Sequence, residues 1–143
     1  MKSVIAAAGL ALAMSFAAPV AASAASIVAR VDISSQTMTV LQHGRVKYRW
    51  RVSTARAGKV TPTGQWTAKW LSKNHRSSRY NGAPMPYSIF YNGNFAVHGT
   101  NHVSRLGRPA SAGCVRLDVE NAATLYSLTQ RVGLKNVRIV VHR

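Results

Sequence analysis

The sequence predicts a mainly β domain, an antiparallel sandwich or barrel with one late helix, and three observations carry that prediction. Val46, Tyr48, Trp50 and Val52 alternate with Lys47, Arg49 and Arg51, the period of two that gives a strand one apolar and one basic face. Segments rich in β-formers are separated by turn dipeptides such as His43-Gly44 and Asn92-Gly93. Only one stretch, between Asp118 and Gly133, carries helix start and stop signals. Many strands with a single helix pack sheet on sheet rather than as βαβ units.

In chain order, Ile27, Ala29, Val31 and Ile33 share one parity, and residues 37–41 are β-formers. Gln42-His43-Gly44-Arg45 supplies a tight turn into the alternating segment, whose apolar side is expected to face inward. Residues 57–64 read as a turn-rich loop, followed by one strand through Trp66 and Trp70. Residues 71–86 are polar and basic, contain Asn81-Gly82 and two prolines, and read as an exposed loop. Residues 87–91 and 94–97 read as short strands with a hairpin turn at Asn92-Gly93. In the helix, Asp118 is the expected cap and Glu120 suits the first turn. Val119, Ala122, Ala123, Tyr126 and Leu128 form the apolar side, and Gly133 is the stop. Residues 137–141 make the last strand, and there is no internal repeat.

Residues 1–25 have the layout of a secretory signal peptide: Lys2, an apolar run over 4–14, then small residues with Ala22-Ser23-Ala24 as an A-x-A site. That run is short for a membrane anchor, so cleavage after Ala24 or Ala25 is expected. The expected product is one exported domain, 26–143, in the periplasm or cell envelope, with no stable membrane span and a core large enough to fold without staples. Cys114 is the only cysteine, which excludes an internal disulfide framework and any cysteine-built metal site.

Nineteen Lys and Arg stand against Asp32, Asp118 and Glu120, a formal charge of +16 that loses one unit with Lys2. Such a chain is drawn to polyanions: nucleic acid, anionic lipid headgroups or an anionic wall polymer. The basic residues are scattered singly, as a solubilising surface would have them, and export argues against nucleic acid as a partner.

The chemistry-bearing residues lie between 96 and 118. His98 follows a predicted strand, and Cys114 lies in Ser111-Ala112-Gly113-Cys114-Val115-Arg116-Leu117. A cysteine becomes a nucleophile when a base or a positive feature holds it as thiolate. His98 offers the base; Arg116 and the nearby helix start offer positive charge. Gly113 would let a substrate approach the backbone, with the N–H groups of Gly113 and Cys114 facing an oxyanion. On residues alone three readings stay open: a nucleophile, an inert buried thiol, or one half of an intermolecular disulfide.

"AVHGT" followed by "SAGCVRL" resembles the signature of the L,D-transpeptidases of the YkuD family: a His-Gly pair, a variable loop, then Ser/Thr-x-Gly-Cys-x-Arg or Asn. Residues 31–55 resemble that family's opening strands, "TPTGQW" its Thr-Pro-x-Gly-aromatic segment, and "MPYSIFY" the strand before the histidine, so the resemblance spans nearly all of 26–143. It departs at Ala112, where the family often has histidine.

The resemblance implies a β-sandwich-like fold with one short helix after the cysteine, acting on peptidoglycan stem peptides without a cofactor. Cys114 would attack the carbonyl of the third stem residue, usually meso-diaminopimelate, and expel D-alanine. An amine of another stem would give a 3→3 cross-link, an amine on an outer-membrane protein an anchor, and water carboxypeptidase activity. His98 would act as base and the Gly99 carbonyl would orient it. Ser111 and Arg116 would position the loop or a substrate carboxylate, Arg116 alternatively bonding loop carbonyls.

Asp118 is expected to cap the helix rather than complete a triad. His102, four residues after His98, suggests no zinc pair, since no helix or further ligand completes it, and no metal is expected. Tyr80, Tyr87, Phe90, Tyr91 and Phe95 are expected mostly in the core, with a cleft lining as the other role. The domain is expected to be monomeric. The competing readings are a non-catalytic basic wall-binding module and a dimer linked through Cys114.

Overall fold

A computed structural model describes residues 25–143, so the expected signal peptide, apart from Ala25, lies outside the described residues. The chain forms β1 (Ile27–Asp32), β2 (Thr37–Gln42), β3 (Arg45–Arg51), β4 (Gly64–Thr67), β5 (Trp70–Arg76), β6 (Pro84–Asn92), β7 (Phe95–Thr100), β8 (Val115–Asp118), α1 (Val119–Val132) and β9 (Val137–His142). A five-stranded sheet has the order β3-β2-β1-β9-β4, and a four-stranded sheet the order β5-β6-β7-β8. The fold is mainly β, as the alternation requires. The sheets are mixed, however, not purely antiparallel: β1 runs parallel to β9 and β7 parallel to β8. β1 and β9 are at opposite ends of the described chain, and the connection over residues 101–114 between β7 and β8 is just long enough for a strand to return in the same direction.

Other departures have local causes. Trp66 and Trp70 lie on two strands in different sheets, because the chain switches sheets between them. Ala68 N–H donates to the Val137 carbonyl at 2.9 Å and Lys69 N–H to the Phe90 carbonyl at 2.8 Å. Residues 71–86 are largely strand rather than loop, since β5 pairs with β6 from Trp70↔Phe90 to Arg76↔Pro84. As an edge strand that is polar after Trp70 and Leu71, β5 shows no apolar alternation to read. Edge position also explains β3, where Val46 is 51% exposed and Tyr48 and Trp50 are only half covered, stacked at 4.8 Å.

In α1 the Asp118 carboxylate accepts from Glu120 N–H at 2.9 Å, and Gly133 closes the helix at φ 88°. Its buried residues are Ala122, Leu125, Tyr126, Leu128 and Thr129; Val119 and Ala123 of the expected apolar side are half-buried. No helix among the described residues is long and apolar enough to cross a membrane.

One core joins the inner faces of both sheets. Ile27, Ala29, Val31, Met38, Val40 and Ile139 meet Ile89, Val97, Val115 and Leu117, with Leu125 and Leu128 of α1 closing the end. Because side chains alternate along a strand, burying Val97, Val115 and Leu117 sends His98 and Arg116 to the outward face of the four-stranded sheet. That face holds the candidate site.

Candidate active site

Strand register brings the histidine and the cysteine together. Val97 pairs with Val115 and His98 with Arg116 in the parallel ladder. Cys114 sits two residues before Arg116, on the same outward face and diagonal to His98. Both line a cleft of about 570 Å³, together with Arg56, Arg79, Arg116, His75, His102, Ala112 and the rings of Tyr80, Phe90 and Phe95. β8, which carries this register, had no signal of its own: it is four residues long, and only Val115 and Leu117 alternate within it.

His98 is 5% exposed, and its Nδ1 lies 2.7 Å from the Gly99 carbonyl oxygen. A carbonyl only accepts, so Nδ1 carries the proton and Nε2 is left as the acceptor. Burial lowers its pKa to about 4; the Gly99 bond opposes this, and the charges of Arg116 and His75 add to it. The ring is therefore a neutral base at pH 7. Gly99 is fixed by close packing, since a Cβ there would stand 3.0 Å from Val119 Cα and 3.2 Å from Pro86 Cγ.

The thiol is not held as thiolate, contrary to the expectation from Arg116 and the helix start. Burial raises the Cys114 pKa, against a backbone hydrogen bond from Ala96 and the Arg116 charge, which lower it. At the start of α1, Asp118 caps the helix and Glu120 occupies its first turn, two negative charges at its positive end. The sulfur makes a long contact, 3.8 Å, as donor to the Asn94 carbonyl. At rest the cleft therefore holds a neutral thiol and a neutral imidazole.

Three residues shape the cysteine loop. Ser111 is fully buried; its hydroxyl donates to the Cys114 carbonyl at 2.6 Å and accepts from Gly113 N–H at 3.0 Å. It positions the loop and does not reach the cleft. That second bond also corrects the oxyanion expectation for Gly113, whose N–H is already committed to the serine. The need for glycine is instead steric. At φ 142°, a Cβ would lie 2.8 Å from Phe95 Cε1 and 3.0 Å from the Val60 carbonyl.

The third residue is Thr61, within the quoted "TPTGQW" segment but not singled out there. Its hydroxyl, 5% exposed, donates to the Gly113 carbonyl at 2.8 Å and accepts from Ala55 N–H at 2.9 Å. Its distance of 52 residues from Gly113 hides this tie from any local pattern.

Backbone bonds add a second brace: Ser53 N–H donates to the Arg116 carbonyl at 3.0 Å and Arg116 N–H to the Ser53 carbonyl at 2.9 Å. The Arg116 guanidinium makes no hydrogen bond to protein among the described residues, so it bonds no loop carbonyl and is available to a ligand in the cleft. Of the five aromatics, Tyr80, Phe90 and Phe95 line the cleft, while Tyr91 lies in the core and Tyr87 packs against it. No group of three metal-ligating side chains occurs among the described residues.

Residues 26–140 match the family model described as YkuD, L,D-transpeptidase catalytic domain. Among solved structures, the chain is similar to an L,D-transpeptidase from Mycobacterium smegmatis, at 23% identity and TM-score 0.74 over 82% of this chain and 59% of that one. It is also similar to one from Stackebrandtia nassauensis, at 25% identity and TM-score 0.72 over 82% and 56%. L,D-transpeptidase 3 from Mycobacterium tuberculosis, in complex with a faropenem-derived adduct, superposes at TM-score 0.71 with 18% identity over 82% and 60%. The chain spans about six-tenths of the length of these structures. No curated protein matches it.

Proposed function

The chain belongs to the L,D-transpeptidase catalytic-domain family, and from that premise we propose that it is an exported cysteine acyltransferase acting on peptidoglycan stem peptides. One observation carries the reading. The only thiol of the chain shares an outward sheet face with an imidazole whose Nδ1–H is tied to a carbonyl and whose Nε2 has no hydrogen-bond partner among the described residues.

In the proposed reaction the Cys114 proton moves to His98 Nε2 as sulfur attacks the carbonyl carbon of the third stem residue. The tetrahedral intermediate collapses, the C–N bond to D-alanine breaks, and the imidazolium delivers its proton to the departing amine. An acceptor amine then attacks the thioester, neutral His98 takes the proton, and sulfur leaves. Gly99 keeps Nδ1 protonated, so the ring presents the same acceptor nitrogen at each turn. Burial disfavours both the thiolate and the imidazolium, which defers charge separation to the step at which substrate fills the cleft.

The substrate chemistry follows from the cleft charge. Arg56, Arg79 and Arg116 line it and no carboxylate does, which suits a stem peptide bearing several free carboxylates, with the Arg116 charge acting on the nucleophile. Ala112, where the family often has histidine, leaves that wall of the cleft without a donor.

The test is incubation with tetrapeptide muropeptides followed by mass spectrometry. Release of D-alanine with gain of a cross-link supports the transpeptidase reading, and release without a cross-link the carboxypeptidase. Cys114→Ala is expected to abolish both that release and the mass adduct left by a carbapenem. Full activity in Cys114→Ala, or no release by folded wild type, refutes the proposal.

A further inference from the structure

The outward face of the five-stranded sheet lies across the core from the cleft and carries a feature the proposed reaction does not use. Inward packing of Ile27, Ala29 and Val31 on β1, and of Val137, Ile139 and Val141 on β9, sends the intervening residues outward. The registers then align them in rows. Arg49, Thr39, Arg30 and Val140 lie side by side in one row, and Arg51, Thr37, Asp32 and His142 in the next. Arg138 opposes Val28 in the row on the other side.

Arg30, Arg49, Arg51 and Arg138 are all exposed and spread over β1, β3 and β9. Strands stand about 4.8 Å apart, so Arg30 and Arg49, two strands removed, are about 10 Å apart at their Cα atoms. Their hydrogen bonds to neighbours on this face are long and go to neutral acceptors: Arg49 to Thr39 Oγ1 at 3.3 Å and Arg138 to Gln65 Oε1 at 3.4 Å. Asp32, the one acid on this face, accepts from the Ser34 hydroxyl at 2.6 Å and Ser34 N–H at 2.8 Å and offsets one of these charges without bonding an arginine among the described residues. The only other acids of the chain, Asp118 and Glu120, sit at the start of α1. One carboxylate against four arginines leaves this face with a net positive charge that the chain itself does not balance.

Two properties select the partner. Guanidinium groups bind phosphate oxygens in a bidentate manner. These cations are distributed over an area of sheet rather than along a single track, which matches a plane of phosphates better than one linear polymer. Half-buried Val28, Leu41 and Val140 lie between them, with Val46 exposed at the edge, so short apolar groups would meet the headgroup layer among the arginines.

We propose that this sheet face docks the domain reversibly on an anionic phospholipid surface, turning the cleft away from the bilayer. The site is independent of the cleft chemistry.

The experiment is co-sedimentation of the protein with phosphatidylcholine vesicles, with and without about one-third phosphatidylglycerol. Wild type is compared with Arg30→Gln/Arg49→Gln and with the control Arg131→Gln/Lys135→Gln on and beyond α1. The N-terminal segment is common to all of them, so differences report the face.

Each neutralised arginine at the surface is expected to loosen binding about fivefold, so the double variant binds about 25-fold more weakly to anionic vesicles. The control is expected to change it far less. Raising salt from about 0.1 M to 1 M, which shortens the Debye length from about 10 Å to 3 Å, is expected to release the wild type. Unchanged turnover of a soluble muropeptide by the double variant checks its fold.

Equal loss in the control variant would show that net charge, not this face, drives binding, and would overturn the proposal. So would wild-type binding by the double variant. Tight binding of soluble polyphosphate through the same arginines, with no vesicle binding, would equally refute a bilayer partner.

Discussion

Acidification from pH 6.5 to pH 4 is expected to remove about 3 kcal/mol of folding stability through His98 alone. The ring has an ordinary pKa of 6.5 when the chain is unfolded and about 4 in the folded protein, where burial is the largest cause. Each pH unit between those values is worth about 1.4 kcal/mol. Between them the unfolded state binds the proton and the folded state does not, so stability falls as pH falls. The contribution is complete above pH 6.5, declines through the window and levels off below about pH 4.

The chain is well suited to the measurement because it has only three acidic residues. Of these, Asp32 has its pKa lowered below 3.8, chiefly by the Ser34 hydroxyl, so its stabilising effect is present above 3.8 and is lost only below the window. Urea unfolding followed by fluorescence of Trp50, Trp66 and Trp70 at a series of pH values gives the curve for wild type and for His98→Gln. The difference between the two curves is expected to slope between pH 4 and 6.5 and to be flat above. Parallel curves across that window would refute the reasoning that burial holds this imidazole neutral.

Gly113→Ala is expected to destabilise the fold by about 3 kcal/mol and to depress D-alanine release. It forces a Cβ onto the Phe95 ring and the Val60 carbonyl at a backbone angle that side chains rarely adopt; thermal melting measures it. Thr61→Ala leaves the buried Gly113 carbonyl and Ala55 N–H without their partner, a loss of about 2 kcal/mol in urea unfolding, which Thr61→Ser is expected to restore. Tyr91→Phe is expected to raise stability by about 1 kcal/mol, because the Tyr91 hydroxyl is buried without a hydrogen-bond partner among the described residues. Arg116→Gln is expected to raise KM for a tetrapeptide stem about tenfold or more, with stability changed by less than about 0.5 kcal/mol, since its side chain bonds no protein group among the described residues.

Local pattern carried the elements whose reasons are local. The turn at His43-Gly44 follows from residues that tolerate positive φ, here 50° and 77°. Asp118 caps α1, and Gly133 ends it, for reasons contained within a few neighbouring residues. Patterns failed where a partner strand supplied the reason. β5 is polar from Ser72 onward and exists there because β6 pairs with it; β8 is too short to show a period and is held by β7 on one side and Ser53 on the other.

The sequence by itself determined a mainly β chain with one capped helix, a single thiol, an excess of cations and the order of His98, Gly99, Ser111, Gly113, Cys114 and Arg116. Tertiary structure decided what those residues are. Parallel pairing of β7 with β8 places the imidazole and the thiol on one face. Burial, a property of the packed chain, outweighs Arg116 and keeps the thiol protonated. Ser111 and Thr61 turned out to hold the cysteine loop, through bonds one of which spans 52 residues. Alternation along strands says that some arginines share a face; only register across strands sets Arg30, Arg49 and Arg51 in adjacent rows, because pairing partners are chosen by the whole fold and not by their neighbours in sequence.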